Sequence, residues 1–180
     1  MRTSSIRKMV QLSMLVAAGI LLQLIESFFP VVMIVPGYKI GLANIVGLYA
    51  LYAFGIRDMA AVTLLRIFLA ALGMGTLFSV SFILSLSGGI LAILAMALTY
   101  KAGIFSIYGV SVAGAAAHSF GQVMAITILY QQYFMQLYLP VLLALSIVSG
   151  LCIALLSAQL LKRFNPAAKQ ALLILKAGKE

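Results

Sequence analysis

Six long apolar segments, separated by Pro, Gly or charged residues, make up most of this 180-residue chain. They cover about residues 10–29, 40–54, 59–72, 78–100, 104–130 and 137–161. A helix needs about 20 apolar residues to cross the hydrocarbon core of a bilayer, with a usual range of roughly 17–25. The second and third segments are short by this measure, and the other four are long enough. We predict an all-α integral membrane protein with six transmembrane helices.

The composition excludes a soluble globular domain. Apolar residues account for 64% of the chain and charged residues for 8%, against roughly 45–50% and about 25% in ordinary soluble domains. The net charge of +9 is therefore interpreted as a topology signal in a bilayer-embedded chain, and no nucleic-acid partner is predicted.

The basic residues predict how the chain is oriented. Six crossings place both termini on one side, and ten of the twelve Lys and Arg residues then fall on that side. Lys39 lies in an opposite loop, and Arg66 lies inside the third segment. Because loops rich in Lys and Arg stay in the cytoplasm, both termini are predicted to be cytoplasmic. Residues 1–163 then form the transmembrane domain, and residues 164–180 form a cytoplasmic tail, either a helix on the membrane interface or a solvated segment.

The reactive residues are too few for a complete catalytic site. The acids are Glu26, Asp58 and Glu180, and Cys152 is the one cysteine. Magnesium-diphosphate chemistry uses clustered carboxylates, and hydrolysis uses a base with an orienting acid. The chain also lacks the phosphate-binding loop of P-loop ATPases. We expect no enzyme activity, no metal site and no cofactor.

Polar residues at similar depth predict a ligand site. The predicted set is Lys39, Asn44, Arg66, His118 and Gln122. Counted along the helices at about 1.5 Å per residue, these side chains fall toward the outer half of the membrane. Polar groups in lipid usually face a bundle interior or a cavity, so a substrate site open to the outside is predicted. The alternative for each residue alone is structural: His118 as a core histidine, Asn44 as a contact between helices, and Arg66 as the counter-charge of Glu26.

Small residues spaced four apart predict where helices approach one another closely. In the first segment, Ser13 and Ala17 are predicted to dock against another membrane subunit. Two further sets are predicted to pack inside the bundle: Gly109, Ala113, Ala117, Gly121 and Ala125 in the fifth segment, and Ser146, Gly150, Ala154 and Ala158 in the sixth.

Three stretches of the sequence resemble a known membrane family. They are KIGLANIV at 39–46, SFILSLSGG at 81–89 and AHSFGQ at 117–122. Over about residues 8–163 the chain resembles the Gx transporters, often labelled component I of heptaprenyl diphosphate synthase. Members are similar in size and number of spans to the substrate-binding S components of energy-coupling factor (ECF) transporters. The resemblance implies an S-component-like bundle in the bacterial cytoplasmic membrane.

The resemblance also implies a function and partners. An S component binds a small molecule and docks its first helix on a transmembrane coupling subunit that works with ATPases. The docking motif commonly has alanine at both ends, whereas this chain has Ser13 and Ala17. Relatives occur beside genes for quinone synthesis and for flavin-based extracellular electron transfer. A non-catalytic accessory or carrier in isoprenoid and quinone metabolism, or a membrane subunit of such an electron-transfer system, is therefore the alternative. The ligand remains open: anionic, vitamin-like, or a quinone or isoprenoid.

Overall fold

A computed structural model of the chain describes residues 2–28, 41–131 and 133–164 as an all-α fold. The helices are α1 (Arg2–Phe28), α2 (Asn44–Phe54), α3 (Ile56–Gly73), α4 (Val80–Ala102), α5 (Ile107–Tyr130) and α6 (Leu139–Phe164). A short 3-10 helix, Tyr133–Tyr138, joins α5 to α6. All six predicted helices are present within these ranges. The predicted tail lies outside the described residues, apart from the end of α6.

Four described segments are long and apolar enough to cross a membrane. They are Ile6–Glu26, Val80–Ala102, Ile107–Tyr130 and Gln136–Phe164. By contrast, α2 has 11 residues, which is about 16 Å of helix. Although α3 has 18 residues, it carries Arg57, Asp58 and Arg66. The fold therefore supports a multi-pass membrane protein, while the number of crossings stays a prediction.

A sharp bend at Gly55 turns α2 and α3 into an antiparallel pair. Gly55 has φ 102° and ψ −179°, a backbone conformation open mainly to glycine. Its amide donates to the carbonyl oxygens at the end of α2. Gly47 then lies against Thr63, and Asn44 lies against Arg66. Both pairs are placed symmetrically about Gly55, as an antiparallel hairpin requires.

Contacts along the chain show that successive helices alternate in direction. Phe68 packs on Phe82 between α3 and α4, and Ser119 bonds to Ser146 between α5 and α6. The first helix runs in the same direction as α3. Lys8 forms an ion pair with Asp58 near the starts of the two helices, and Gln23 and Arg66, later in the two helices, also meet. The starts of α1, α3 and α5 therefore share one end of the bundle with the ends of α2, α4 and α6.

This shared end is the basic end of the bundle. The lysines and arginines of the described helices all lie there, apart from Arg66: Arg2, Arg7, Lys8, Arg57, Lys101, Lys162 and Arg163. Exposed aromatic side chains lie at both ends, including Phe105 and Phe164 at the basic end and Phe78, Tyr133 and Phe134 at the opposite end. The predicted gathering of basic residues at one end is thus present in the fold.

The helices are arranged as a closed circle with α1 on its outside. In this circle α3 contacts α2 and α4, α5 contacts α4 and α6, and α2 contacts α6. The principal contacts of the first helix are with α2 and α3. Fully buried apolar side chains such as Leu48, Leu51 and Leu161 fill the centre. The interior of this circle is therefore mainly apolar, and the buried polar side chains in it are surrounded by apolar residues and by one another.

Small residues bring α4, α5 and α6 close together. The predicted α6 set is buried: Ser146, Gly150, Ala154 and Ala158. In α5 the prediction is only partly right. A methyl group added to Gly121 would lie 2.9 Å from the Ser87 carbonyl oxygen, but Gly109, Ala113, Ala117 and Ala125 are only half-buried. Another glycine of α5, Gly114, lies close to the Met96 side chain of α4. The buried face of α5 is rotated about the helix axis from the predicted face, because it includes His118 and Gln122.

Candidate functional site

Arg66 is the centre of a buried polar cluster between α1, α2 and α3. Its side chain is 5% exposed. One guanidinium nitrogen, Nη2, donates to Asn44 Oδ1 at 3.3 Å, and the other, Nη1, donates to Gln23 Oε1 at 3.5 Å. Both distances exceed the usual 2.7–3.2 Å for such bonds. Two long hydrogen bonds thus connect Arg66 to α1 and to α2.

Glu26 places a negative charge in the same cluster. It lies one helical turn beyond Gln23 on α1, is 8% exposed, and interacts electrostatically with Arg66. Its carboxylate also accepts a hydrogen bond from the backbone amide of Gly41, just before α2. A buried charge without a partner costs several kcal/mol, roughly 3–5 when one member of a pair is removed. The interaction between the arginine and the glutamate therefore offsets part of the cost of burying each charge inside the bundle.

The first helix makes room for the arginine with a glycine. A methyl group at Gly19 would lie 2.6 Å from Cδ of Arg66, closer than carbon atoms pack. Gly19, Gln23 and Glu26 recur at helical spacing and therefore form one face of α1. This face of α1, together with Asn44, forms the walls of the arginine cluster, which we define as Gln23, Glu26, Asn44 and Arg66.

A second polar pair lies on α5. Nε2 of His118 and Nε2 of Gln122 are 3.1 Å apart, and both side chains are buried. The imidazole ring packs against Gly88 of α4, where an added methyl group would lie 2.9 Å from ring atoms Nδ1 and Cε1. The pair is therefore fixed at the crossing of α4 and α5.

A small cavity lies inside the bundle beside Asn44. It is lined by Asn44, Leu48, Met96, Ser111, Gly114, Ala115 and Ile153. It leaves about 10 Å³ for the centre of a water molecule, which is room for one water. His118 follows Ala115 by three residues and Gly114 by four, so it lies one turn further along the same face of α5. The cavity is thus lined by Asn44 and by the turns of α5 that precede His118, and neither His118 nor Gln122 is part of its lining.

The structure groups the predicted site residues into two pairs. Asn44 contacts Arg66, and His118 contacts Gln122. Lys39 lies outside the described residues. Whether these residues bind a substrate stays a prediction. The alternative in which Arg66 is the counter-charge of Glu26 is consistent with their interaction.

Two members of the arginine cluster, Gln23 and Glu26, were not in the predicted site. Their depth at the far end of the first segment could be counted from the sequence. Their spacing of three residues also places both on one helix face with Gly19. This spacing could have identified both residues from the sequence. A glycine on the same helix face as two polar residues indicates that this face approaches another helix.

The predicted docking residues lie on the outer face of α1. Ser13 and Ala17 are exposed, whereas Gly19 is the small residue that α1 uses within the bundle. The exposed face therefore remains available to lipid or to another membrane subunit.

Among the described residues, no three His, Cys, Asp or Glu side chains come together as metal ligands.

Comparison with family models identifies the relatives of this bundle. The model described as heptaprenyl diphosphate synthase component I matches residues 15–160. The chain belongs to this family. The family match covers every residue of the arginine cluster and the α5 pair, and it includes the predicted docking residue Ala17 but begins after Ser13. No curated protein and no solved structure gives a match to the chain.

Proposed function

We propose that this family member is a membrane-embedded, S-component-like protein that binds a small molecule for uptake through an ECF-type transporter. The observation that carries the proposal is that two groups of polar side chains, the arginine cluster and the α5 pair, are buried inside an apolar helical bundle. Ionisable and amide side chains are costly in a bilayer and typically mark ligand or ion sites. Asn44 supports this assignment in particular, because it belongs to the arginine cluster and also lines the cavity.

The orientation follows from the charges in this proposal. The basic end of the bundle faces the cytoplasm of a bacterial cell under the positive-inside rule, so both termini are cytoplasmic. Gln23 and Glu26 lie near the far end of α1, which places the arginine cluster toward the outer side. The protein then takes its ligand from outside.

The chain acts as a binding protein rather than an enzyme in this proposal. The family description names a synthase component, but prenyl-diphosphate synthesis needs paired aspartate-rich motifs and this sequence has one aspartate, Asp58. ATP hydrolysis comes from partner ATPases through a transmembrane coupling subunit. The exposed face of α1 around Ser13 and Ala17 is the surface offered to that subunit, since small residues let another helix approach closely.

Coupling is tested by co-purification with ECF coupling subunits and ATPases. Ala17→Leu is expected to abolish co-purification and leave the purified protein monodisperse. Ala144→Leu is the matched control, because it makes the same change at an exposed position of α6. Normal uptake and normal co-purification of the Ala17 variant would contradict docking through α1. No associated ATPase in any co-purification would contradict the ECF assignment itself.

The family description favours one second candidate, a non-catalytic membrane accessory or carrier in isoprenoid or quinone metabolism. A membrane subunit of flavin- or quinone-linked electron transfer belongs to the same class of alternatives. Native mass spectrometry of the purified protein separates these functions. A bound water-soluble small molecule supports uptake, whereas a bound polyprenyl compound supports the accessory or carrier.

A further inference from the structure

The cavity beside Asn44 is polar at two points of an otherwise apolar wall. Its lining includes the amide of Asn44 on α2 and the hydroxyl of Ser111 on α5. The other lining residues are Leu48, Met96, Gly114, Ala115 and Ile153. The space leaves about 10 Å³ for the centre of a water molecule, which is close to what one buried water requires. A molecule bound there without movement of the wall is therefore about the size of one water.

The contact with Arg66 determines how the Asn44 amide is turned. A guanidinium group has only hydrogen-bond donors. The Asn44 atom that faces Arg66 Nη2 at 3.3 Å is accordingly the oxygen, Oδ1. This orientation leaves the amide nitrogen of Asn44, Nδ2, as a donor for another partner.

The Ser111 hydroxyl has the opposite hydrogen-bonding character. It is buried, and its Oγ donates to the carbonyl oxygen of Gly150 on α6 at 2.7 Å. A hydroxyl group has one hydrogen and two lone pairs. Because the hydrogen is used for Gly150, Ser111 can only accept a hydrogen bond from a molecule in the cavity.

A donor and an acceptor on the wall of a water-sized cavity match a water molecule, which both accepts and donates. We propose that the cavity binds one water, which accepts a hydrogen bond from Asn44 Nδ2 and donates one to Ser111 Oγ. Buried waters make about three hydrogen bonds, within a range of roughly 2–4, and these two side chains supply two. The site is independent of which small molecule the protein takes up.

The water completes a chain of hydrogen bonds in which every donor points the same way. Arg66 donates to Asn44, Asn44 to the water, the water to Ser111, and Ser111 to the carbonyl oxygen of Gly150. The chain starts at a positive charge, and hydrogen bonds aligned in this way polarise and strengthen one another. It joins α3, α2, α5 and α6, and it connects the arginine cluster to the contact between α5 and α6.

The test detects the water at the Asn44 side chain. The sequence has two asparagines, Asn44 and Asn165, so the full-length protein grown with nitrogen-15 asparagine gives two side-chain amide signals. The variant Asn165→Gln shows which signal belongs to Asn44. Cross-relaxation between water protons and this amide is measured by NMR in the rotating frame, in deuterated detergent micelles, where its sign separates dipolar contact from hydrogen exchange. We expect a dipolar cross peak from a bound water at Asn44.

Two pairs of variants test whether this water lies in the cavity. Ser111→Ala removes the acceptor, and Ser157→Ala is its matched control, because Ser157 also donates to a carbonyl oxygen of another helix but does not line the cavity. Ala115→Val fills the cavity from its wall, and Ala92→Val makes the same change at a buried residue outside the lining. We expect the cross peak to be lost in Ser111→Ala and in Ala115→Val, and to be kept in both controls.

Three results overturn the water site. The first is no dipolar cross peak at Asn44 in the unsubstituted protein. The second is a cross peak that survives Ser111→Ala or Ala115→Val in a monodisperse protein, since the water then contacts Asn44 from elsewhere. The third is its loss in both controls, since the signal then does not depend on the cavity lining. If one cavity variant does not fold, the other decides. Uptake is tested separately, by co-purification with the coupling subunits.

Discussion

Gly121 offers the sharpest test of how α4 and α5 pack. A methyl group there would lie 2.9 Å from the Ser87 carbonyl oxygen and 3.0 Å from Cα of Gly88. Both atoms are backbone, so no side-chain rotation relieves the contact. Carbon atoms pack at about 3.5–4.0 Å, so Gly121→Ala should push the two helices apart by roughly 0.5–1 Å at this point.

The expected cost combines two opposing effects. Overpacking of a close contact costs typically 1–3 kcal/mol, and replacing a helical glycine by alanine returns about 0.5–1 kcal/mol. We expect Gly121→Ala to lower the free energy of unfolding by about 1–2 kcal/mol. The measurement is unfolding of the purified protein by sodium dodecyl sulfate in mixed micelles, followed by circular dichroism.

Two further glycines make this prediction refutable. Gly114→Ala creates a nominally closer contact, 2.6 Å, but with Cγ of the flexible Met96 side chain, so it should cost less than Gly121→Ala. Nothing lies within 4 Å of a methyl group at Gly73, so Gly73→Ala should be neutral or stabilising by up to about 1 kcal/mol. If Gly114→Ala proves less stable than Gly121→Ala, the reasoning is wrong, because the loss of stability then does not depend on whether the contacted atom is rigid backbone or a flexible side chain.

Three other predictions concern strain, buried hydroxyls and topology. Phe78 has φ 64°, which is unfavourable for a bulky residue, so thermal unfolding should show Phe78→Gly to be more stable than Phe78→Ala, the reverse of the usual order. The Thr63 hydroxyl is buried without a hydrogen-bond partner among the described residues, whereas Ser157 donates to the Ile45 carbonyl oxygen at 3.1 Å. Thr63→Val should therefore stabilise, and Ser157→Ala should destabilise by about 1 kcal/mol; equal effects would refute this contrast. In a variant without Cys152, a cysteine at Gly75 should react with an impermeant thiol reagent added outside intact cells, and labelling at Lys101 instead would invert the topology.

Much of the helical framework could be predicted from the sequence, for a simple reason. Hydropathy and breaks at Pro, Gly and charge are local properties, so the six helices and their approximate ends follow from them. The bend at Gly55 and the gathering of basic residues at one end depend on the order of these segments along the chain. The α6 packing face was also predictable, because four small residues recur there without a competing polar set.

The site was predicted only in part, because it depends on how each helix is rotated about its axis. The depths of Asn44, Arg66 and Glu26 could be counted along the chain, and Glu26 was one alternative partner of Arg66. The bond from Arg66 to Gln23 depends on the rotation of α1 and could not be predicted. On α5 the small residues and the polar residues lie on different faces of the helix. His118 and Gln122 face inward, so most of the predicted set of small residues is only half-buried.

The sequence by itself determined that this is a helical membrane protein with a basic end and a few buried polar groups. Only the tertiary structure decided that Gln23 and Asn44 bond to Arg66 and that Gly19 leaves space for the arginine. Hydropathy depends on each residue alone, whereas charge pairing depends on distances between helices that are far apart in sequence. The surroundings of Arg66 therefore emerge only when α1 packs against α2 and α3.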